Sequence, residues 1–164
     1  MKRSAQQVGR AGELFVAAEL NKRGALATLF LTGTPRVDVV AMDPGQLSSS
    51  VNLQVKTKSP QSRVWQTSIK KLELEREAPE SDFMVLVDLG TDTEAPTYYI
   101  CPLRQVASKI AAIYQTWLDS HGGKRPGGSD STHCSIRIED VSEWRGRWDL
   151  LGIIPAAAGA RRYT

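Results

Sequence analysis

The sequence predicts an α/β domain built on a single mixed central β-sheet flanked by helices. Two stretches with helical periodicity stand near the ends, at residues 8–23 and 103–118. Between them lie several short runs with strand character, separated by Gly and Pro turns. A length of 164 residues suits one hydrophobic core, and apolar residues at 41% with charged residues at 24% are globular proportions.

In chain order, Val8, Ala11, Phe15 and Ala18 recur at steps of three and four and predict an apolar helical stripe over 8–23. Lys22, Arg23 and Gly24 form a basic last turn and a stop. Residues 25–31 read as a strand, 32–35 as a turn, and 37–42 as a second strand closed by Asp43-Pro44-Gly45. Residues 51–58 alternate: Val51, Leu53, Val55 and Thr57 point one way, and Asn52, Gln54, Lys56 and Lys58 the other. A short helix within 63–78, ended by Pro79, links this strand to the next. Residues 83–89 read as a buried central strand and 97–101 as a fifth strand ended by Pro102. Leu103, Val106, Ala107, Ile110, Tyr114, Trp117 and Leu118 trace the buried face of the last long helix. Residues 121–131 form a loop, and Ile136 and Ile138 an edge strand. Residues 141–151 make a short helix or turn in which Trp144 and Trp148 cap the core or serve an interface. The expected domain spans 1–151, with 152–164 a flexible basic tail.

Several classes are excluded. No apolar run approaches the roughly 18–20 residues of a membrane span, so no membrane association is expected. The first residues lack the apolar segment of a signal peptide, and Cys101 and Cys134 are too few for a disulfide framework. The expectation is a cytoplasmic protein with reduced thiols, Cys101 being a buried strand-end residue. His121 and His133 have no zinc-ligand spacing beyond the adjacent Cys134. Phosphate-loop, nucleophile-elbow and HExxH motifs are absent.

Four residues carry chemistry. Asp38 sits within an apolar strand, where Asp is depleted; it is either an edge acid facing water or a functional carboxylate. Gln54 and Lys56 share one face of their strand, as a surface pair or as polar groups beside a metal-bound water. Glu13 has Val16, Ala17 and Leu20 at i+3, i+4 and i+7, which directs it toward the protein body. Gly12 beside it permits close approach of helix to sheet. Glu19, with Lys22 and Arg23 at i+3 and i+4, reads instead as a surface ion-pair residue.

The motifs Gly9-Arg10-Ala11-Gly12-Glu13, Thr34-Pro35-Arg36-Val37-Asp38 and Leu53-Gln54-Val55-Lys56-Thr57 together resemble the PD-(D/E)XK, or restriction-endonuclease-like, nuclease superfamily. The similarity is to its branch of Holliday-junction resolvases, Mrr-type proteins and small bacterial members, and it covers about residues 8–118. The resemblance implies an α-β-β-β-α-β core and Mg²⁺ chemistry, with Mn²⁺ as substitute. Asp38 would be the main metal ligand and Glu13 a second acid, direct or through water. Gln54 and the Val55 backbone carbonyl would supply further oxygens. Lys56 would orient or deprotonate the attacking water and offset charge in the transition state. Gln54 stands where most relatives carry Glu or Asp. Two functions therefore remain: a metal-dependent DNA endonuclease, or a catalytically lapsed nucleic-acid-binding or protein-interaction module that keeps the fold. The DNA expected is branched, single-stranded or duplex, with RNA open, and related small nucleases suggest a homodimer.

The net charge is +3, unevenly spread. Residues 54–71 carry five basic residues and no acid, whereas 72–94 carry eight acids and one Arg. Lys58, Arg63 and Lys70, with Arg36, are read either as solvated surface or as the lining of a phosphate-contacting groove. Trp65 is read as core or as a base-stacking platform. Lys124-Arg125 and Arg161-Arg162 are open to the same two readings. Positive surface is expected around Asp38, with the acidic block facing elsewhere.

Overall fold

The computed structural model describes residues 3–30, 36–123 and 132–154. Helix α1 (Ala5–Lys22) opens on a capping box, in which Ser4 accepts from the Gln7 backbone and Gln7 accepts from the Ser4 backbone. Its buried face is Val8, Gly12, Val16, Ala17 and Leu20. The face is thus rotated from the expected stripe, and Phe15 is exposed. Gly12 explains the rotation: a Cβ there would stand 1.8 Å from Thr57 Oγ1, so the helix touches the sheet through its glycine.

Strands β1 (Leu26–Leu29), β2 (Val39–Asp43) and β3 (Gln46–Lys58) follow as an antiparallel meander. Strand β4 (Trp65–Ser68) leads into α2 (Ile69–Glu75), then come β5 (Asp82–Asp88), β6 (Thr97–Pro102) and α3 (Leu103–Ser120). The main sheet has the order β1-β2-β3-β5-β6, with β3 and β5 parallel and the other pairs antiparallel. This is the mixed α-β-β-β-α-β arrangement expected from the sequence. The parallel β3–β5 pair requires a crossover, and α2 lies within it.

The expected helix within 63–78 is only partly helical, because 65–68 are a strand. Strand β4 pairs antiparallel with β7 (His133–Ile136), placing Trp65 opposite Ile136 in a second, two-stranded sheet. Helix α4 (Ile138–Val141) and two 3₁₀ turns, Ser142–Trp144 and Trp148–Leu151, complete the described chain. Trp144 and Trp148 are buried as expected. Trp117 is half-exposed, so the buried face of α3 is shorter than its apolar pattern. Ile153 is also buried, so core packing continues past Leu151, where the tail was expected to begin. The turn at 32–35, most of the loop at 121–131, and 155–164 with Arg161-Arg162 lie outside the described residues, as does Lys124-Arg125.

The sheet separates two apolar layers. Leu53, Val85 and Val87 face α1 with Val16 and Leu20, while Met84 and Leu86 face α2 and α3 with Leu72, Val106 and Ile110. Strand β5 is therefore apolar on both sides, as its continuous run predicted. The period of two on β3 turns Leu53 toward α1 and Gln54 and Lys56 toward α2. Among the described residues no helix is long and apolar enough to cross a membrane.

Candidate active site

Asp38 precedes β2 rather than lying inside it. Its backbone N–H donates to Leu53 O at 2.9 Å, and its carbonyl accepts from Phe30 N at 2.9 Å. Its carboxylate Oδ2 accepts from the Val55 N–H at 2.7 Å. Arg36, two residues earlier and exposed, has φ of 71°. That left-handed backbone is uncommon for a residue with a Cβ, and it occurs where the chain enters the site. Burial pushes the Asp38 carboxyl above its usual range. The Val55 N–H opposes that, Glu13 adds to it, and Lys71 and Lys56 pull it down.

Glu13 is partly buried, and its carboxylate accepts from Arg10 at 2.8 Å. The Lys56 ammonium is pushed below its usual range by burial first and by Lys71 next, with Glu75 and Asp38 opposing. Asp38 thus feels the charges of Glu13 and Lys56, and two residues from α2 join them. Lys71 and Glu75 occupy i and i+4, with Lys71 Nζ 3.7 Å from Glu75 Oε1. Glu75 is 1% exposed, and its Oε2 has no hydrogen-bond partner. Burial raises its pKa, with Lys71, Lys56 and Arg36 opposing.

Gln54, also buried, connects the two elements. The groups around it set its amide: its NH₂ donates to Glu75 Oε1 at 3.3 Å and its carbonyl accepts from Lys71 Nζ at 2.5 Å. The acidic block at 72–94 thus does not wholly face away from Asp38, because Glu75 turns inward. The signal was present in the sequence. Glu75 has apolar Leu72 at i−3 and Ala78 at i+3, although Lys71 at i−4 gives it the ion-pair spacing of a surface acid as well.

The basic residues expected to line a groove divide. Arg63 and Lys70 are exposed, as is Arg36. Lys58 is 6% exposed. Its ammonium donates to Asp88 Oδ2 at 2.5 Å and to Ser62 O at 3.3 Å, and it sits over the Trp65 ring. Its charge is therefore engaged inside the protein. Trp65 is buried, its indole N–H donating to Val87 O at 2.9 Å, so it belongs to the core. Burial pushes the Cys101 thiol far up, which leaves it without nucleophilic character. A groove of about 1080 Å³ begins at Lys56 and runs past Thr57, Ser59, Gln61 and Gln66 toward Arg3 at the start of α1, with the buried Lys58 and Trp65 in its floor.

No protein-family model matches this chain, and no curated protein matches it in sequence. Among solved structures it superimposes on Archaeoglobus fulgidus Hjc, a Holliday junction resolvase from an archaeal hyperthermophile. The TM-score is 0.51 at 15% identity, over 88% of this chain and 95% of that one. The chain has the fold of a Holliday junction resolvase. On this resolvase fold, the observed sheet order and crossover bring Asp38, Gln54 and Lys56 to the same region, with Glu13 reaching it from α1.

Among the described residues no three His, Cys, Asp or Glu side chains are grouped closely enough to hold a metal ion by themselves. A Mg²⁺ or Mn²⁺ ion needs less than that, since one or two carboxylates completed by water and phosphate oxygens suffice. The donors here are hard oxygens, and burial leaves the Asp38 charge undercompensated. This chemistry fits such a cation.

Proposed function

We propose that the protein binds DNA and hydrolyses its phosphodiester bonds with Mg²⁺ or Mn²⁺. The observation that carries this reading is the Asp38 carboxylate held by the Val55 N–H, between Gln54 and Lys56, at the entry to β2 on a fold shared with a resolvase. Asp38 would hold the ion, with Glu13 and the Val55 carbonyl as further candidates. The Gln54 carbonyl, expected as another ligand, is engaged by Lys71 in this arrangement. The bound ion supplies an activated water and charge neutralisation at the phosphate. The protein's own groups do the rest. The Val55 N–H fixes the orientation of Asp38. Lys56, whose burial favours the neutral amine, is suited to take a proton from water or to hydrogen-bond the attacked phosphate. The groove past Thr57 and Gln61, with exposed Arg63 beside it in sequence, would follow the nucleic-acid backbone.

A homodimer belongs to the same reading. Edge strand β1 and helix α1 expose Leu26, Leu14 and Phe15, which suit a second copy of the chain. Light scattering would give the mass.

Plasmid, single-stranded and four-way-junction DNA incubated with Mn²⁺ tests the enzyme. Cleavage by wild type, lost in Asp38→Ala and Lys56→Ala, is expected. Wild type no more active than Asp38→Ala on every substrate would overturn it. Salt-sensitive DNA binding that survives Asp38→Ala without cleavage would identify a binding module instead.

A further inference from the structure

We propose that Lys71 is a second cationic group that contacts the scissile phosphate, and that Gln54 and Glu75 are the residues that position it. This rests on the nuclease reading above and extends it to groups outside the Asp38, Gln-x-Lys and α1 acid set.

The arrangement accounts for the amide at position 54. Gln54 has two neighbours of opposite demand: the Glu75 carboxylate, which needs a donor, and the Lys71 ammonium, which needs an acceptor. An amide answers both at once. A glutamate could accept from Lys71, but it would set a second carboxylate against the buried Glu75. The absence of the usual acid on this strand is thus what a buried Glu75 requires.

Glu75 in turn exists for the lysines. A carboxylate at 1% exposure with one oxygen unpaired is costly, and an apolar residue would pack α2 against the sheet at lower cost. Its compensation comes from Lys71, Lys56 and Arg36. The buried carboxylate pairs with Lys71 at 3.7 Å and so holds that ammonium beside Lys56. Lys71 is the one suited to reach outward. Its side chain is 39% exposed, whereas that of Glu75 is sealed, so the ammonium is held from behind and open in front. A phosphate oxygen arriving beside Asp38 and Lys56 would find the Lys71 ammonium already oriented, and charge developing there would be stabilised without reorganisation.

The test compares wild type with Lys71→Met, which keeps the stem, and with Lys71→Arg, Glu75→Gln and Lys22→Ala. Two readouts are used: single-turnover cleavage at saturating DNA and Mn²⁺, and DNA binding in EDTA at several salt concentrations. Lys71→Met should lower the single-turnover rate by about 100-fold, the scale of losing one preorganised group at a developing charge. The Mn²⁺ half-saturation should not rise. Lys71→Arg should recover about tenfold of the loss, and Glu75→Gln should fall between wild type and Lys71→Met. In EDTA, Lys71→Met should weaken binding, with the salt dependence shallower by about one phosphate contact. Lys22→Ala, at the far end of α1, should alter neither readout.

If wild type cleaves and Lys71→Met matches it, the role of Lys71 is overturned and the nuclease stands. A rise in Mn²⁺ half-saturation that accounts for the whole rate loss also overturns it, since Lys71 then acts only through the ion. If wild type binds without cleaving and Lys71→Met loses the salt-dependent contact, the phosphate contact stands and the enzyme reading falls. Absence of both binding and cleavage in wild type overturns both.

Discussion

The carboxylate of Asp38 accepts a hydrogen bond from the Val55 N–H, 2.7 Å away across 17 residues of sequence. That bond ties the entry of β2 to the middle of β3, between Gln54 and Lys56. It orients the acid, but it does not offset the burial that raises its pKa.

Asp38→Asn should therefore raise the stability of the metal-free protein while abolishing cleavage. The sign follows from linkage. A carboxyl whose pKa is higher folded than unfolded destabilises the fold as it ionises, so its contribution worsens as pH rises from about 4 through the folded pKa. The advantage of Asp38→Asn over wild type should grow over that range in urea denaturation at pH 4 to 7. An advantage that shrinks with pH would refute this.

Gly12→Ala meets Thr57 Oγ1 at 1.8 Å. In an open helix the change would gain up to about 1 kcal/mol. Here overpacking should reverse the sign and cost about 1–3 kcal/mol. Thr57→Ala removes the obstructing atoms, so the double variant should recover most of the loss. Additive single effects in denaturant melts would show that the contact is not the cause.

Lys58→Ala leaves Asp88 without its partner beside a buried apolar cluster. A loss of about 3 kcal/mol is expected, at the lower end for a broken buried pair because Asp88 is partly exposed. DNA affinity of the folded fraction should be close to wild type. A large affinity loss in a fully stable variant would show that Lys58 contacts nucleic acid from the floor of the groove.

Trp65→Phe removes the donor to Val87 O within the core. The expected cost is about 1–3 kcal/mol, from an unpaired buried carbonyl. Binding of single-stranded DNA should not change, since the ring is enclosed. A several-fold drop in affinity at unchanged stability would contradict this.

Much of the fold was legible because it is written in short-range periodicity. The alternation of Val51, Leu53 and Val55 against Gln54 and Lys56 survives in β3, and the apolar run at 83–89 became the doubly buried β5. The face of α1 was misjudged by one position in the helical wheel, since a pattern of apolar residues does not register that Gly12 is the point of contact. Residues 65–68 read as helix because their partner, β7, lies about 70 residues away.

By itself the sequence determined the elements of the main sheet and its mixed character, and it named Asp38, Gln54, Lys56 and Glu13 as candidates from local spacing and residue chemistry. Only the tertiary structure decided which charges meet. The basic run and the acidic block are neighbours in sequence, yet Lys71 and Glu75 turn into the site, Lys58 and Asp88 seal each other, and Arg63 and Lys70 remain at the surface. Charge composition carries no direction. Helix α2, packed on the sheet through Leu72, sets which carboxylate is removed from water and which lysine compensates it.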